Sequence, residues 1–349
     1  MTRGNIARLV KRVLRVFAVV IAVTLAVGAT YESVMQRIAL RRYPAPGRLV
    51  DIGGRRIQID CRGAGSPTVV LESGLDNYGS LSWAAVHDSL ARTSRVCAYS
   101  RAGIMWSDPS RVPFDSRQVA WDLRAALFSA GEHAPWVLVG HSIGGSYIST
   151  FTALYPEDVA GLVFVDPAHP DQFARFNAIA GRRMEPNPAI FALGDALAWT
   201  GIVRLMPGAV PPSKWPHTMA EAPPAYLPGS VSAMLGEVRA VDKTLEEAGR
   251  YRQLDDRPVI VLTATAPKSA EELAANGISA REAAGLQAVS RKLHDSQATW
   301  SSRGRHELVS NASHYIQFDR PDVVIRAVRD VIGSVRSLPR AAPVLAADQ

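Results

Sequence analysis

The run Trp136-Val137-Leu138-Val139-Gly140-His141-Ser142-Ile143-Gly144-Gly145 carries more information than any other in this 349-residue chain. Its first four residues read as a buried strand, and Ser146 to Tyr155 reads as the helix that follows. A serine flanked by Gly140 and Gly144 on a strand-to-helix turn is the nucleophile-elbow pattern. Such a turn holds the serine in a strained backbone, and side chains at 140 and 144 would strike the neighbouring strand and helix. Ser142 is therefore the candidate nucleophile.

A nucleophilic serine needs a base, an acid that orients the base, and donors for the oxyanion. Of the eight histidines, His141 adjoins the serine and is expected to point away from it. His87, His133 and His294 fall on or beside helices, where a surface histidine is the ordinary reading. His314 lies just past the last strand, in Asn311-Ala312-Ser313-His314-Tyr315, and is the candidate base. The usual place for the acid, Thr263-Ala264-Thr265-Ala266-Pro267-Lys268, holds no carboxylate, and Glu271 and Glu272 come slightly late. Asp166 ends the strand after the elbow unit, at the same sheet edge as Ser142, and is the preferred acid. Glu271, Glu272, Asp171 and Asp295 remain alternatives. The oxyanion donors are assigned to the backbone N–H groups of Ile143 and, beside Gly74, Leu75; each such donor is worth about 3–4 kcal/mol in a transition state. No metal or organic cofactor is implied, since no Cys/His cluster has zinc-site spacing.

Outward from the elbow, apolar runs alternate with helical patterns. Residues 48–52 and 56–61 flank Gly53-Gly54 as a hairpin, and 68–72 and 95–99 are further strands. Helices are expected at 82–91 and 119–129, and a buried strand at 161–165. Strands at 257–262 and 307–310 and helices at 281–300 and 321–335 complete the pattern. This alternation implies a largely parallel sheet covered on both faces. Between Pro167 and Pro228 lie eleven of the 23 prolines, so 167–256 is expected to be an inserted cap. The Pro/Ala-rich tail, 337–349, is expected to be disordered.

The net charge of +7 is concentrated at one end. Arg3, Arg8, Lys11, Arg12 and Arg15 precede an apolar run, and the rest of the chain carries only +2. That distribution argues against a nucleic-acid partner. Val16 to Tyr31 carries no charge but is short for a spanning helix, which needs about 20 residues. Residues 1–31 read as an uncleaved signal anchor, or alternatively a cleaved signal peptide, with 32–47 as a linker. In either case the rest is exported. An exported location permits a disulfide between the two cysteines, Cys61 and Cys97; two buried thiols are the other reading.

Five separated motifs now occur in order: Ser73-Gly74-Leu75; Arg101-Ala102-Gly103 with Trp106-Ser107-Asp108; the elbow; Val165-Asp166-Pro167-Ala168-His169-Pro170; and Ser313-His314-Tyr315 with Asp319-Arg320-Pro321. Together they resemble the α/β-hydrolase superfamily over about residues 48–336, in its serine-nucleophile, esterase- and lipase-like branch with a cap. The resemblance implies a mostly parallel eight-stranded sheet in the order 1-2-4-3-5-6-7-8, with Cys61 and Cys97 on neighbouring strands. Two departures stand out. Ser100 replaces an Asp common in relatives, and an acid after strand 6 resembles some haloalkane dehalogenases. Those enzymes and epoxide hydrolases use an Asp nucleophile, against which Ser142 speaks. Asn311-Ala312-Ser313 matches a glycosylation sequon by chance. The expected function is a membrane-anchored serine hydrolase acting on a small-molecule carboxylic ester. Amide, peptide or carbon–carbon hydrolysis, and a noncatalytic ligand-binding role, stay open.

Overall fold

The computed structural model describes residues 3–205 and 218–337. Eight strands form one sheet: β1 (Arg48–Asp51), β2 (Arg56–Arg62), β3 (Thr68–Glu72), β4 (Val96–Tyr99), β5 (Trp136–His141), β6 (Val159–Val165), β7 (Val259–Ala264) and β8 (Gly304–Val309). Their spatial order is β1-β2-β4-β3-β5-β6-β7-β8, with β1–β2 and β2–β4 antiparallel and the other pairs parallel. This is the order that the resemblance implies.

The helices, in chain order, are α1 (Arg3–Arg42), α2 (His87–Ala91), α3 (Ser116–Ser129), α4 (Gly144–Leu154), α5 (Gln172–Ala180), α6 (Pro188–Ala198), α7 (Thr218–Arg239), α8 (Val241–Gly249), α9 (Ala270–Asn276), α10 (Ala280–Ala298), α11 (Ile316–Asp319) and α12 (Pro321–Arg336). Strands β3, β5 and β6 are continuous apolar runs because both of their faces are buried. Alternate side chains divide between two cores. Val70, Leu138, Phe164 and Val261 pack under α3, α4 and α10, while Val69, Val137, Val163 and Ile260 pack against α2 and α12. Gly161 brings α12 close, since a Cβ there would sit 2.6 Å from Val331.

Several elements differ from the sequence expectations. Helix α1 runs unbroken to Arg42, through most of the expected 32–47 linker. Hydropathy locates an apolar stretch, but a helix stops only where its backbone is interrupted. Residues 32–42 contain no glycine or proline, and the first breaker is Pro44. Helix α9 was not expected, although Ser269 and Glu272 form a capping box that is visible in the sequence. The inserted segment contributes α5 to α8, and α7 carries Pro223, Pro224 and Pro228 within it. Residues 206–217 of this segment, and 338–349 of the tail expected to be disordered, lie outside the described residues.

Cys61 and Cys97 stand directly opposite each other on β2 and β4 and form a disulfide. Titration of the unfolded, unreduced protein is expected to find no free thiol, and two after reduction. The bridge closes a loop of 36 residues, so replacing both cysteines with serine is expected to lower unfolding stability by about 4 kcal/mol. Denaturant unfolding would measure the difference.

Candidate active site

Ser142 occupies the turn between β5 and α4 with φ +54°, a conformation costly for a residue with a side chain. Hydrogen bonds hold it there. Its N–H donates to the Val165 carbonyl at 3.1 Å, and its own carbonyl accepts from Gly145 and Ala168, both at 2.9 Å. The flanking glycines are required by close approach. A Cβ on Gly140 would lie 2.7 Å from the Gly144 carbonyl oxygen, and one on Gly144 would lie 2.5 Å from the Ser73 oxygen. Gly145 similarly lies against Pro167.

His314 presents Nδ1 to the Asp166 carboxylate, with Oδ2 at 2.7 Å. Asp166 follows β6 at φ +43°, and its Oδ1 accepts from the Ala264 N–H at 3.0 Å. Burial alone would raise the Asp166 pKa. The hydrogen bond from His314, the nearby histidines and the Ala264 amide outweigh burial and hold it below the usual carboxylate value. The alternative acids are engaged elsewhere or exposed. Glu272 caps α9, Asp171 pairs with Arg252, Asp295 faces His306, and Glu271 is exposed on α9. Ser142, Asp166 and His314 open onto one cavity of about 610 Å³. Phe173 and Phe176 line its wall from α5, and Leu273 and Leu286 from α9 and α10.

The other histidines correct the sequence reading. His87 and His294 are buried, not superficial. His87 bonds the Val96 carbonyl, and His294 lies between Thr263 and the Pro167 carbonyl. His141 does not stand clear of the site. Its Nε2 donates to the His314 carbonyl at 2.9 Å, and its ring lies 4.7 Å from the His314 ring. A Cβ on Gly74 would lie 2.8 Å from His141 Nδ1 and 3.1 Å from Ser142 Cβ, so the Gly74 backbone abuts the elbow. Beside it, the Leu75 and Ile143 side chains share an apolar cluster with Tyr147 and Ala168.

Beneath this loop lies a network that the sequence reading did not reach. Arg101 is buried between Glu72 and Glu237, at 2.7 and 2.8 Å. It also donates to the Ser73 and Gly74 carbonyls, at 2.8 and 2.6 Å. The Tyr99 hydroxyl donates to Glu72, the Tyr147 hydroxyl donates to Glu237, and the guanidinium lies 5.0 Å from the Tyr147 ring. Burial pushes the Glu72 carboxyl up despite Arg101. Burial would lower Arg101, but the two carboxylates more than reverse this and keep it charged. The available sequence signal was Glu72 itself, a carboxylate ending an otherwise apolar buried strand, which requires a partner.

Arg101→Met strands two buried carboxylates and is expected to destabilise the protein by roughly 3–5 kcal/mol, read by denaturant unfolding. The buried histidines predict acid sensitivity. Burial, then the charge of His314, pushes His141 from 6.5 down to about 3, and burial pushes His169 down to about 4. Their contribution is complete above the unfolded value near 6.5 and is lost as pH falls toward the folded values. The melting temperature is therefore expected to be flat above neutrality and to fall through the mildly acidic range, less steeply in His169→Gln.

Comparison with known proteins agrees with this architecture. Residues 67–189 match the family model described as the alpha/beta hydrolase fold. A protein named "Probable transporter efuK" from Hormonema carpetanum is 38% identical over 128 residues, 34% of this chain and 18% of its own length. The uncharacterized protein YqjL of Bacillus subtilis is 24% identical over 77% of this chain and 85% of its own length. Over the first three curated relatives, the chain spans 18%, 40% and 14% of their lengths. Among solved structures, an epoxide hydrolase from Bacillus megaterium matches with a TM-score of 0.59 at 17% identity, covering 82% of this chain and all of that one. A thermophilic esterase from Thermogutta terrifontis matches at 0.54 and 18% identity, covering 81% and 95%. With the strand order, the elbow turn and the match over residues 67–189 in agreement, the chain has the α/β-hydrolase fold.

Proposed function

We propose that the protein is a serine hydrolase that cleaves carboxylic esters with apolar acyl groups, held at a membrane by α1. The observation that carries this reading is the His314–Asp166 hydrogen bond of 2.7 Å, opening with Ser142 onto one cavity. Because the Asp166 carboxylate only accepts, His314 Nδ1 carries the proton and the Nε2 lone pair is left to act as base. Nε2 takes the Ser142 hydroxyl proton as Oγ attacks the ester carbonyl carbon. Asp166 stabilises the resulting imidazolium. The tetrahedral intermediate collapses as His314 returns that proton to the departing alkoxide, which leaves as an alcohol. Water, deprotonated by His314, then attacks the acyl-serine, and the acid is released with Ser142 restored.

The Ile143 and Leu75 N–H groups are the proposed oxyanion donors. Support for Leu75 comes from peptide geometry. The Gly74 carbonyl is held on Arg101 at 2.6 Å. In the same trans peptide plane the Leu75 N–H projects to the opposite side, away from the guanidinium. Segment 167–256 is the proposed cap, and the aromatic and aliphatic wall at Phe173, Phe176 and Leu273 favours an acyl chain. The fold is shared with epoxide hydrolases, but serine stands at this elbow in place of their Asp. The N-terminal basic cluster keeps that end cytoplasmic, so the catalytic domain lies outside the cytoplasm.

A fluorophosphonate probe is expected to label the full-length protein in detergent and not Ser142→Ala. Absence of labelling in the parent protein sinks the catalytic reading and leaves a ligand-binding role. On p-nitrophenyl esters of graded chain length, Asp166→Asn is expected to reduce kcat roughly 10⁴-fold while remaining folded.

A further inference from the structure

The inserted segment carries apolar surface that its own fold leaves exposed. On α6, Ile190 and Leu193 are 65% and 63% exposed and stand three residues apart on one face. Trp199, which caps the end of α6, is 52% exposed, and the short turn Ile202–Leu205 adds Ile202 and Leu205, the latter 74% exposed. Scattered apolar residues are normal on a protein surface; a contiguous set on one helix and its following turn is not.

What covers this set follows from how α1 meets it. The C-terminal part of α1 is fastened to the body of the protein. Glu32 is buried in an ion pair with Arg204, Nε to Oε2 at 2.6 Å and Nη2 to Oε1 at 2.8 Å. A Cβ on Gly28 would run into the Thr200 carbonyl, and one on Gly201 would lie 2.7 Å from the Tyr31 ring. Ala39 is buried beside Ile104 and Tyr226, while Tyr226 and Trp106 both donate to the Tyr43 carbonyl at 2.9 Å. The position of the body along α1 is therefore fixed at Gly28 to Tyr43.

The uncharged stretch Val16 to Tyr31 rises only about 24 Å as a helix, against a hydrocarbon core of about 30 Å. A spanning α1 must therefore be immersed along that whole stretch, including Gly28. Thr200 and Gly201, which touch Gly28 and Tyr31, are then drawn to the hydrocarbon boundary, and Trp199 and Ile202 go with them.

We infer that α6 and the turn after it dock into the bilayer interface, with Ile190, Leu193, Trp199, Ile202 and Leu205 facing the acyl chains. This rests on the reading of α1 as a membrane span. Tryptophan suits the interfacial level, and an apolar helix face lying in the membrane plane sits about 5–10 Å into the boundary. The segment Arg182–Glu185, which borders the catalytic cavity, leads directly into α6. The proposed docking therefore brings that border of the cavity toward the lipid surface.

Depth-dependent quenching tests the inference on the full-length protein in phosphatidylcholine vesicles. The native cysteines are paired, so Leu193→Cys accepts a nitrobenzoxadiazole label selectively. Arg329→Cys on α12 is the control. Lipids brominated high on their acyl chains are expected to quench the label at 193 at least twofold more than the label at 329. Equal quenching at both sites, with the protein still retained by the vesicles after carbonate washing, overturns the docking and leaves the anchor intact. Release by carbonate overturns the anchor reading itself. An unquenched label at 193 together with a dimer that Ile190→Asp dissociates would assign the surface to a second copy of the chain, which also overturns the inference.

Discussion

The Arg101 guanidinium is the constraint around which the site is arranged. Its burial strips it of water, a penalty that two carboxylates and the carbonyls of Ser73 and Gly74 together offset. Each partner comes from a different layer. Glu72 ends β3, the two carbonyls belong to the loop beside the elbow, and Glu237 lies on α7 of the inserted segment. Tyr147 joins from α4, the helix the elbow opens. A loop rich in backbone polar groups would otherwise need water to satisfy them. Here an ion satisfies them, and in doing so fixes the direction of the peptide planes that face Ser142.

The second constraint is backbone strain at two adjacent strand ends. Ser142 and Asp166 follow His141 and Val165, which are register partners on β5 and β6. Both adopt positive φ, each costing of order 1–3 kcal/mol. The strain persists because the ladder continues past both. Ser142 donates to Val165, Asp166 donates to Leu262 on β7 at 2.8 Å, and Ala168 returns to the Ser142 carbonyl. A serine and an aspartate are thus aimed from the same sheet edge by hydrogen bonds of three neighbouring strands. His314 arrives from beyond β8 to meet the aspartate.

This explains which parts of the molecule are legible in its sequence. The elbow is local in sequence: glycine at 140 is required by contacts within the turn and glycine at 144 by the neighbouring end of β3, so the pattern declares itself. Asp166 and His314, which the structure brings into contact, stand out as candidates because each sits just past a recognisable strand. The pairing of Arg101 with Glu237 spans 136 residues, and no local periodicity reports it. The burial of His87 and His294 is hidden from the sequence for a related reason. A histidine on a helix looks superficial until the sheet that supplies its carbonyl or hydroxyl partner is known. The end of α1 is not legible from hydropathy, because the helix outlasts its apolar stretch. Residues 32–42 lose the apolar composition, and Glu32 and Ala39 pack against the body of the protein, while the helix continues.

Helix α7 connects these constraints. Near its start the Ala225 carbonyl accepts from Arg204 at 2.8 Å, and Arg204 is the residue that pairs with Glu32 on α1. Near its end Glu237 grips Arg101. The two contacts are twelve residues apart, about 18 Å of helix. Two buried ion pairs therefore fasten the inserted segment, one to α1 and one to the loop beside Ser142. Breaking either leaves a charge stranded inside the protein, which is far costlier than losing an exposed pair. A segment held this way cannot swing as a free lid about its junctions with β6 and β7 without first disrupting one of the pairs. Its α7 strut joins the Arg204–Glu32 pair on α1 to the Arg101 network that holds the Gly74 carbonyl.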